Sequence, residues 1–298
     1  MFKGTITALV TPFKDSKIDA GAFEKMIANQ IVCGIDGVVI SGTTGESPNL
    51  SEREIDELFE IADGVRKNEK SRIQIIIGTG SNSTEHAVKK TKHSKKLGAD
   101  AFLVVTPYYN KPTQAGIIEH YKAVAKEAGG TAVILYNVPG RTGCNMLPQT
   151  VERLAEIDNI MAVKEASGNL IQISEIFIKV CSKSRKGFTL LSGDDALTLP
   201  ILSVGGAGVI SVTSNIAPKL VKKFIDCFIA GDIVSAREMH DNLFELNNAL
   251  FIEPNPIPVK TALAEMGLYT EEFRLPLCPM ADKNKAELIK TLKKYKLV

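Results

Sequence analysis

Neither sign of charge prevails in this chain: 36 Lys and Arg stand against 34 Asp and Glu, a formal net charge of +2. Such a balance leaves no electrostatic footprint for a nucleic acid or an anionic membrane surface, and the densest basic stretch, Lys89 to Lys96, reads as a solvated helix face. Cysteine is sparse as well. The five cysteines, Cys33, Cys144, Cys181, Cys227 and Cys278, are odd in number, far apart and without a CxxC pair, which argues against both a disulfide framework and a zinc site. Each reads as a small buried apolar residue. No apolar run approaches the ~18 residues of a membrane span, and the opening Met1-Phe2-Lys3-Gly4 leads into a β-like segment without the charged-then-apolar order of a signal peptide. The expectation is a cytoplasmic protein that engages neither membrane nor nucleic acid. A dinucleotide fingerprint is missing too: Gly78-x-Gly80 stands without its third glycine and reads as a turn.

What the chain does have is a recurring alternation. Eight short apolar, β-branched runs lie at Thr5 to Val10, Gly37 to Ile40, Ile73 to Ile77, Ala101 to Val105, Val133 to Tyr136, Ile160 to Val163, Phe188 to Leu191 and Val209 to Val212. Their starts are 21 to 36 residues apart, too far for hairpins and right for a strand followed by a crossover helix. Continuous apolar runs suit parallel strands buried on both faces. Between them come amphipathic segments with recognisable ends: Asp19 to Cys33 stopped by Gly34, Ser51 to Lys67 opened by the capping box Ser51-x-x-Glu54, and Ser83 to Leu97 stopped by Gly98. Eight such units predict an α/β fold, a (β/α)8 TIM barrel over residues 1–217, better than an open doubly wound sheet.

Beyond the eighth run no further strand is convincing. Residues 218–298 read as a C-terminal helical extension packed on the barrel, with helices at Pro218 to Ile229, Ile233 to Phe251, Pro258 to Met266 and Asp282 to Lys294. Pro254-Asn255-Pro256-Ile257-Pro258 reads as a stiff turn rather than a domain boundary.

In a barrel of this kind the chemistry sits at the C-terminal ends of the strands. The runs close on Ser41-Gly42-Thr43-Thr44-Gly45-Glu46, Thr106-Pro107-Tyr108-Tyr109-Asn110, Tyr136-Asn137-Val138-Pro139-Gly140-Arg141, Lys164-Glu165-Ala166-Ser167 and Ser192-Gly193-Asp194-Asp195. Lys164 stands out because no other run contains a lysine, and burial of a cation is costly unless it is neutral or paired. A desolvated amine is a nucleophile that condenses with ketones to a Schiff base, whose iminium then accepts electrons as a carbanion forms. The plainer alternative is a structural ion pair, but Glu165, the adjacent residue on a strand, points to the opposite face. Tyr136, at the same level on the neighbouring strand, is suited to moving protons, although an ordinary core tyrosine fits the same pattern. Thr43 and Thr44 offer hydroxyls and backbone N–H groups to a carboxylate, and Arg141 a bidentate fork. Gly193 completes the substrate-binding set.

Gly42-Thr43-Thr44-Gly45-Glu46, Tyr108-Tyr109-Asn110-Lys111-Pro112, Tyr136-Asn137-Val138-Pro139-Gly140-Arg141-Thr142 and Val163-Lys164-Glu165-Ala166 together resemble the dihydrodipicolinate synthase family of pyruvate-dependent class I aldolases. The match runs in order along the whole chain, from Gly4-x-x-Thr7-Ala8-x-x-Thr11-Pro12-Phe13 to the helical tail. The resemblance implies that Lys164 forms the imine with pyruvate, that Thr44 holds the pyruvate carboxylate, and that the backbone at Ile210 borders the same pocket. It implies a proton relay of Tyr136, Thr43 and Tyr109, with Tyr109 supplied by a neighbouring subunit in a dimer of dimers. Arg141 would bind the carboxylate of L-aspartate-4-semialdehyde, on the way to 4-hydroxy-tetrahydrodipicolinate in the diaminopimelate branch of lysine biosynthesis. No metal or organic cofactor is implied. Sialic acid lyases and keto-deoxy-sugar acid aldolases share the lysine, the tyrosine and the glycine-threonine loop, and a non-catalytic barrel is the remaining alternative; Thr43 and Arg141 favour the synthase. Of the family's lysine-inhibition positions Asn82 and Tyr108 are kept, but Glu52, Ile55 and His86 replace the others, so weak or absent inhibition by L-lysine is expected.

Overall fold

Each of the eight apolar runs forms a parallel strand in the computed structural model, which describes residues 1–184 and 186–298. The strands are β1 (Gly4–Ala8), β2 (Gly37–Ile40), β3 (Gln74–Gly78), β4 (Ala101–Val105), β5 (Ala132–Asn137), β6 (Ile160–Glu165), β7 (Thr189–Ser192) and β8 (Gly208–Ser211). They close into a barrel in the order β1-β8-β7-β6-β5-β4-β3-β2, the expected (β/α)8 architecture. Helices alternate with them: α1 (Ala20–Val32), α2 (Glu52–Asn68), α3 (Thr84–Leu97), α4 (Gln114–Ala128), α5 (Pro148–Ala155), α6 (Leu170–Lys179), α7 (Thr198–Ser203) and α8 (Pro218–Ile229). Three more helices follow, α9 (Ile233–Ala249), α10 (Ile257–Glu265) and α11 (Asp282–Lys294). Among the described residues no helix is long and apolar enough to cross a membrane.

The helix ends follow the local chemistry. Ser51 and Glu54 form a reciprocal capping box at the start of α2, satisfying two otherwise unpaired N–H groups. Ser83 caps α3, which ends on Gly98 at φ 90°, a left-handed conformation that glycine adopts without strain. Thr113 caps α4 and Asn169 caps α6 through their side-chain oxygens.

The chain falls into two compact units. The first comprises Met1–Gly4 and Ile75–Ile210. Its strands pair in parallel, with one register shift between β5 and β6 at Val133/Ile134, and place Val105 beside Tyr136, Tyr136 beside Lys164, and Lys164 beside Leu191; Ile76, Phe102, Val104, Ile134, Leu135 and Val163 are fully buried. Gly80, just beyond β3, lies tight against the end of β4: a Cβ there would lie 2.5 Å from the backbone nitrogen of Val105. The second unit comprises Thr5–Gln74 and Ser211–Val298. Here β1 and β2 pair from Ile6 opposite Gly37 to Ala8 opposite Val39, and Phe13, Phe23, Ile27, Leu58, Val259, Leu263 and Leu288 are buried. A small antiparallel pair, Phe13–Lys14 with Lys17–Ile18, has no counterpart in the sequence expectations.

All five cysteines are free thiols. Only Cys144 is buried, whereas Cys278 is exposed, which corrects the reading of every cysteine as a buried apolar residue.

Candidate active site

Adjacent strands place Lys164 and Tyr136 side by side. They are register partners on β6 and β5, and the Lys164 ammonium nitrogen lies 4.3 Å from the centre of the Tyr136 ring. Lys164 is only 6% exposed. Burial pulls its pKa down from 10.5 to about 7, opposed by the negative charge of Asp195 and assisted by the positive charge of Arg141. At neutral pH a large fraction of the amine is therefore unprotonated and nucleophilic.

Alternation along the strand turns the next pair the other way. Glu165, fully buried, accepts hydrogen bonds from Asn137 Nδ2 at 3.1 and 3.2 Å, from the Ser167 backbone N–H at 2.7 Å and from Gln172 Nε2 on α6 at 3.4 Å. Burial raises its pKa against the pull of these donors. Glu165 is thus engaged on its own side of the sheet, where Asn145 bonds both Asn137 and Gln172. Asn137 Oδ1 also accepts the Met146 backbone N–H, which fastens the segment carrying Arg141 to the end of β5.

Gly193 makes room for the lysine. A Cβ there would lie 3.0 Å from Lys164 Cε, 3.1 Å from Lys164 Cγ and 2.9 Å from Ala166 Cβ. Arg141 is an exposed residue of the one-turn helix Pro139–Thr142, near enough for its charge to act on Lys164. Tyr109 is 87% exposed, held at φ 76°, and its backbone N–H donates to Thr142 O at 3.2 Å. Ile210 is 1% exposed near the end of β8. In this first unit the structure brings together Lys164, Tyr136, Gly193 and the field of Arg141, while the Tyr109 side chain projects outward.

Thr43 and Thr44 belong to the second unit. Their turn is tightened by N–H groups of Gly45 and Ser47 donating to Gly42 O at 3.1 and 3.2 Å, and of Glu46 to Thr43 O at 3.1 Å. Gly45 packs closely there: a Cβ would lie 3.1 Å from Leu9 O. Thr44 is 3% exposed, and its hydroxyl oxygen accepts Asn255 Nδ2 at 3.0 Å. Of the lysine-inhibition positions, Ile55 is buried at 3% in α2, whereas Glu52 and His86 are exposed.

Residues 1–295 match the dihydrodipicolinate synthetase family. The chain belongs to that family. Two relatives named 4-hydroxy-tetrahydrodipicolinate synthase, from Thermodesulfovibrio yellowstonii and Geotalea uraniireducens, are 52% and 51% identical over 298 residues, the whole of this chain and of each relative. The crystal structure of dihydrodipicolinate synthase from Thermotoga maritima superposes with a TM-score of 0.96 at 41% identity, covering 100% of both chains. Three groups that touch or act on the candidate residues received no role from the sequence alone: in the first unit Asp195, whose charge opposes the fall in the Lys164 pKa, and in the second Asn255, which bonds Thr44, and Lys260, which bonds Glu46. Lys260 carried a weaker form of the Lys164 signal, a solitary cation among mostly apolar residues.

Proposed function

We propose that this chain is a 4-hydroxy-tetrahydrodipicolinate synthase, a class I aldolase-type lyase that condenses pyruvate with L-aspartate-4-semialdehyde through an imine on Lys164. The observation that carries the reading is the buried Lys164 amine beside Tyr136, with a pKa of about 7. Membership of the family supports the choice of substrates.

The neutral amine attacks the keto carbon of pyruvate, and loss of water leaves an iminium. Removal of a methyl proton then gives the enamine, with the iminium taking up the electron pair. The enamine carbon adds to the aldehyde carbon of the second substrate, whose oxygen takes a proton and becomes the hydroxyl. Attack of that substrate's own amine on the imine carbon closes the ring and releases Lys164. Tyr136 moves protons at the lysine, in a relay with Thr43 and Tyr109. Thr44 holds the pyruvate carboxylate, Ile210 and Gly193 border the pyruvate, and Arg141 grips the carboxylate of the semialdehyde. Because the lysine is itself the electron sink, no cofactor or metal enters the scheme.

The relay requires a second copy. Tyr109 leaves an aromatic side chain 87% exposed, and the proposal sends it into the site of a partner subunit, in a dimer of dimers. The enzyme's compartment in this proposal is the cytoplasm, and its five free cysteines suit a reducing environment. Weak or absent inhibition by L-lysine remains part of the proposal, since Ile55 turns inward and offers no polar group.

Borohydride reduction in the presence of pyruvate tests the central step. Intact mass is expected to rise by one reduced pyruvate unit in the wild type and not in Lys164→Ala. An unmodified wild type would overturn the aldolase reading, and turnover of N-acetylneuraminate in place of aspartate semialdehyde would move the enzyme to the sialic acid lyases.

A further inference from the structure

A buried polar cluster backs the turn that carries Thr43 and Thr44, and nothing in the chemistry above uses it. Glu46 ends that turn in a left-handed conformation, φ 56°. Its carboxylate accepts Lys260 Nζ at 2.5 Å on one oxygen and the Arg274 backbone N–H at 3.2 Å on the other. Both side chains of the Glu46–Lys260 pair are fully buried, at 0% exposure. The Lys260 nitrogen also lies 4.4 Å from the centre of the Phe13 ring and 5.1 Å from that of Phe273, contacts that suit a desolvated cation. Two residues ahead of Glu46, Thr44 Oγ1 accepts Asn255 Nδ2. Residues 255 and 260 thus grasp residues 44 and 46.

Such an ion pair is a poor choice for stability alone. Desolvation of two charges offsets their attraction, and an apolar pair of similar volume often serves as well or better. Lys260 is nonetheless the one charged residue in a stretch of α10, Ile257-Pro258-Val259-Lys260-Thr261-Ala262-Leu263, every residue of which is buried. What a pair of fixed length and direction supplies, and an apolar contact does not, is the orientation of the turn it ends. The Asn255 bond has a directional consequence as well. A hydroxyl carries one hydrogen and two lone pairs, so an oxygen already accepting from an amide keeps its hydrogen for an acceptor elsewhere.

We infer that Lys260, acting through Glu46, and Asn255, acting directly, are positioning residues that hold the Thr43–Thr44 turn so that Thr44 donates its hydroxyl hydrogen to the substrate carboxylate. This gives the helical tail a part in substrate binding, and it rests on the reading of Thr44 as the carboxylate ligand.

The test measures the pyruvate concentration that half-saturates imine trapping by borohydride, together with steady-state kinetics, in Lys260→Met, Asn255→Leu, Thr44→Val and the doubly apolar Glu46→Leu/Lys260→Met. The last removes both charges and keeps the core filled, which preserves folding should a lone buried carboxylate not be tolerated. The expected result is a rise of about tenfold in half-saturation for each variant with kcat changed by less than about twofold, the pattern of lost substrate binding. Adding Lys260→Met to Thr44→Val should raise half-saturation by less than about twofold, because the two act on one contact. A merely structural role gives the opposite: melting temperature falls, half-saturation stays at the wild-type value, and the effects of the two changes multiply. If the doubly apolar variant binds pyruvate like the wild type while Thr44→Val does not, the inference fails and the Thr44 role survives. If Thr44→Val itself binds pyruvate normally, both fall together.

Discussion

Burying the Lys164 amine works against the fold that contains it. The unfolded side chain titrates near its ordinary 10.5, the folded one near 7, so between those values the unfolded state binds the extra proton and stability rises with pH. Below about 7 the burden is present in full; toward 10.5 it fades. Lys164→Met removes the charge and keeps the volume, and is expected to raise stability by on the order of a few kcal/mol below neutrality, with the gain shrinking as pH approaches 10. Urea denaturation at pH 6 and pH 10 checks this, and a variant no more stable than wild type at pH 6 would remove the case for a strongly desolvated amine. Lys164 was legible because a lone cation in a strand is conspicuous. Lys260 falls inside the helix expected from Pro258 to Met266, where a single lysine fits the solvated face of an amphipathic helix. Its partner Glu46 lies 214 residues away along the chain, and no periodicity links residues at that distance.

Strands and helices were read with unequal sharpness. Apolar runs locate strands well, because a parallel strand buried on both faces must be apolar throughout, but they misplace strand ends. β6 continues through Lys164 and Glu165, whose polarity hides that they still pair with β5 and β7. The Phe13–Lys14 and Lys17–Ile18 strands are too short to show a period, and their turn places Asp15 and Ser16 at φ 52° and 62° without a glycine to announce it. Gly193, directly after β7, shows what the strand ends control. Its missing Cβ is the space that Lys164 Cγ and Cε occupy, at 3.1 and 3.0 Å from where that atom would be. Gly193→Ala is therefore expected to displace the Lys164 side chain, the proposed nucleophile, while leaving the apolar core intact. Single-turnover trapping of the pyruvate imine is expected to slow about ten- to a hundredfold, since misplacement of a reacting group by an ångström has effects of that size, with an unchanged circular dichroism spectrum. A wild-type trapping rate would show that the lysine does not depend on that space.

At the scale of the whole molecule, a closed ring of eight parallel strands brings residues distant in sequence to neighbouring strand ends, as it does Tyr136, Lys164 and Gly193, and strand ends are where such folds collect their functional groups. The eightfold alternation was visible as spacing, whereas partner contacts leave no periodic trace. Tyr109 is the residue in which the two meet. It follows β4, yet it faces outward at 87% exposure, so a chain acting alone leaves it in solvent. If a neighbour's site receives it, two inactive variants complement each other. A mixed dimer of Tyr109→Phe and Lys164→Ala holds one site with both an intact lysine and an intact tyrosine, and one site with neither. Random pairing makes half of the dimers mixed, each with one working site of two, so equal co-refolding should restore about a quarter of wild-type activity. Each variant refolded alone supplies the baseline. Recovery no greater than that baseline, in a sample shown by native mass spectrometry to contain mixed dimers, would place Tyr109 in its own chain's site or outside the relay altogether.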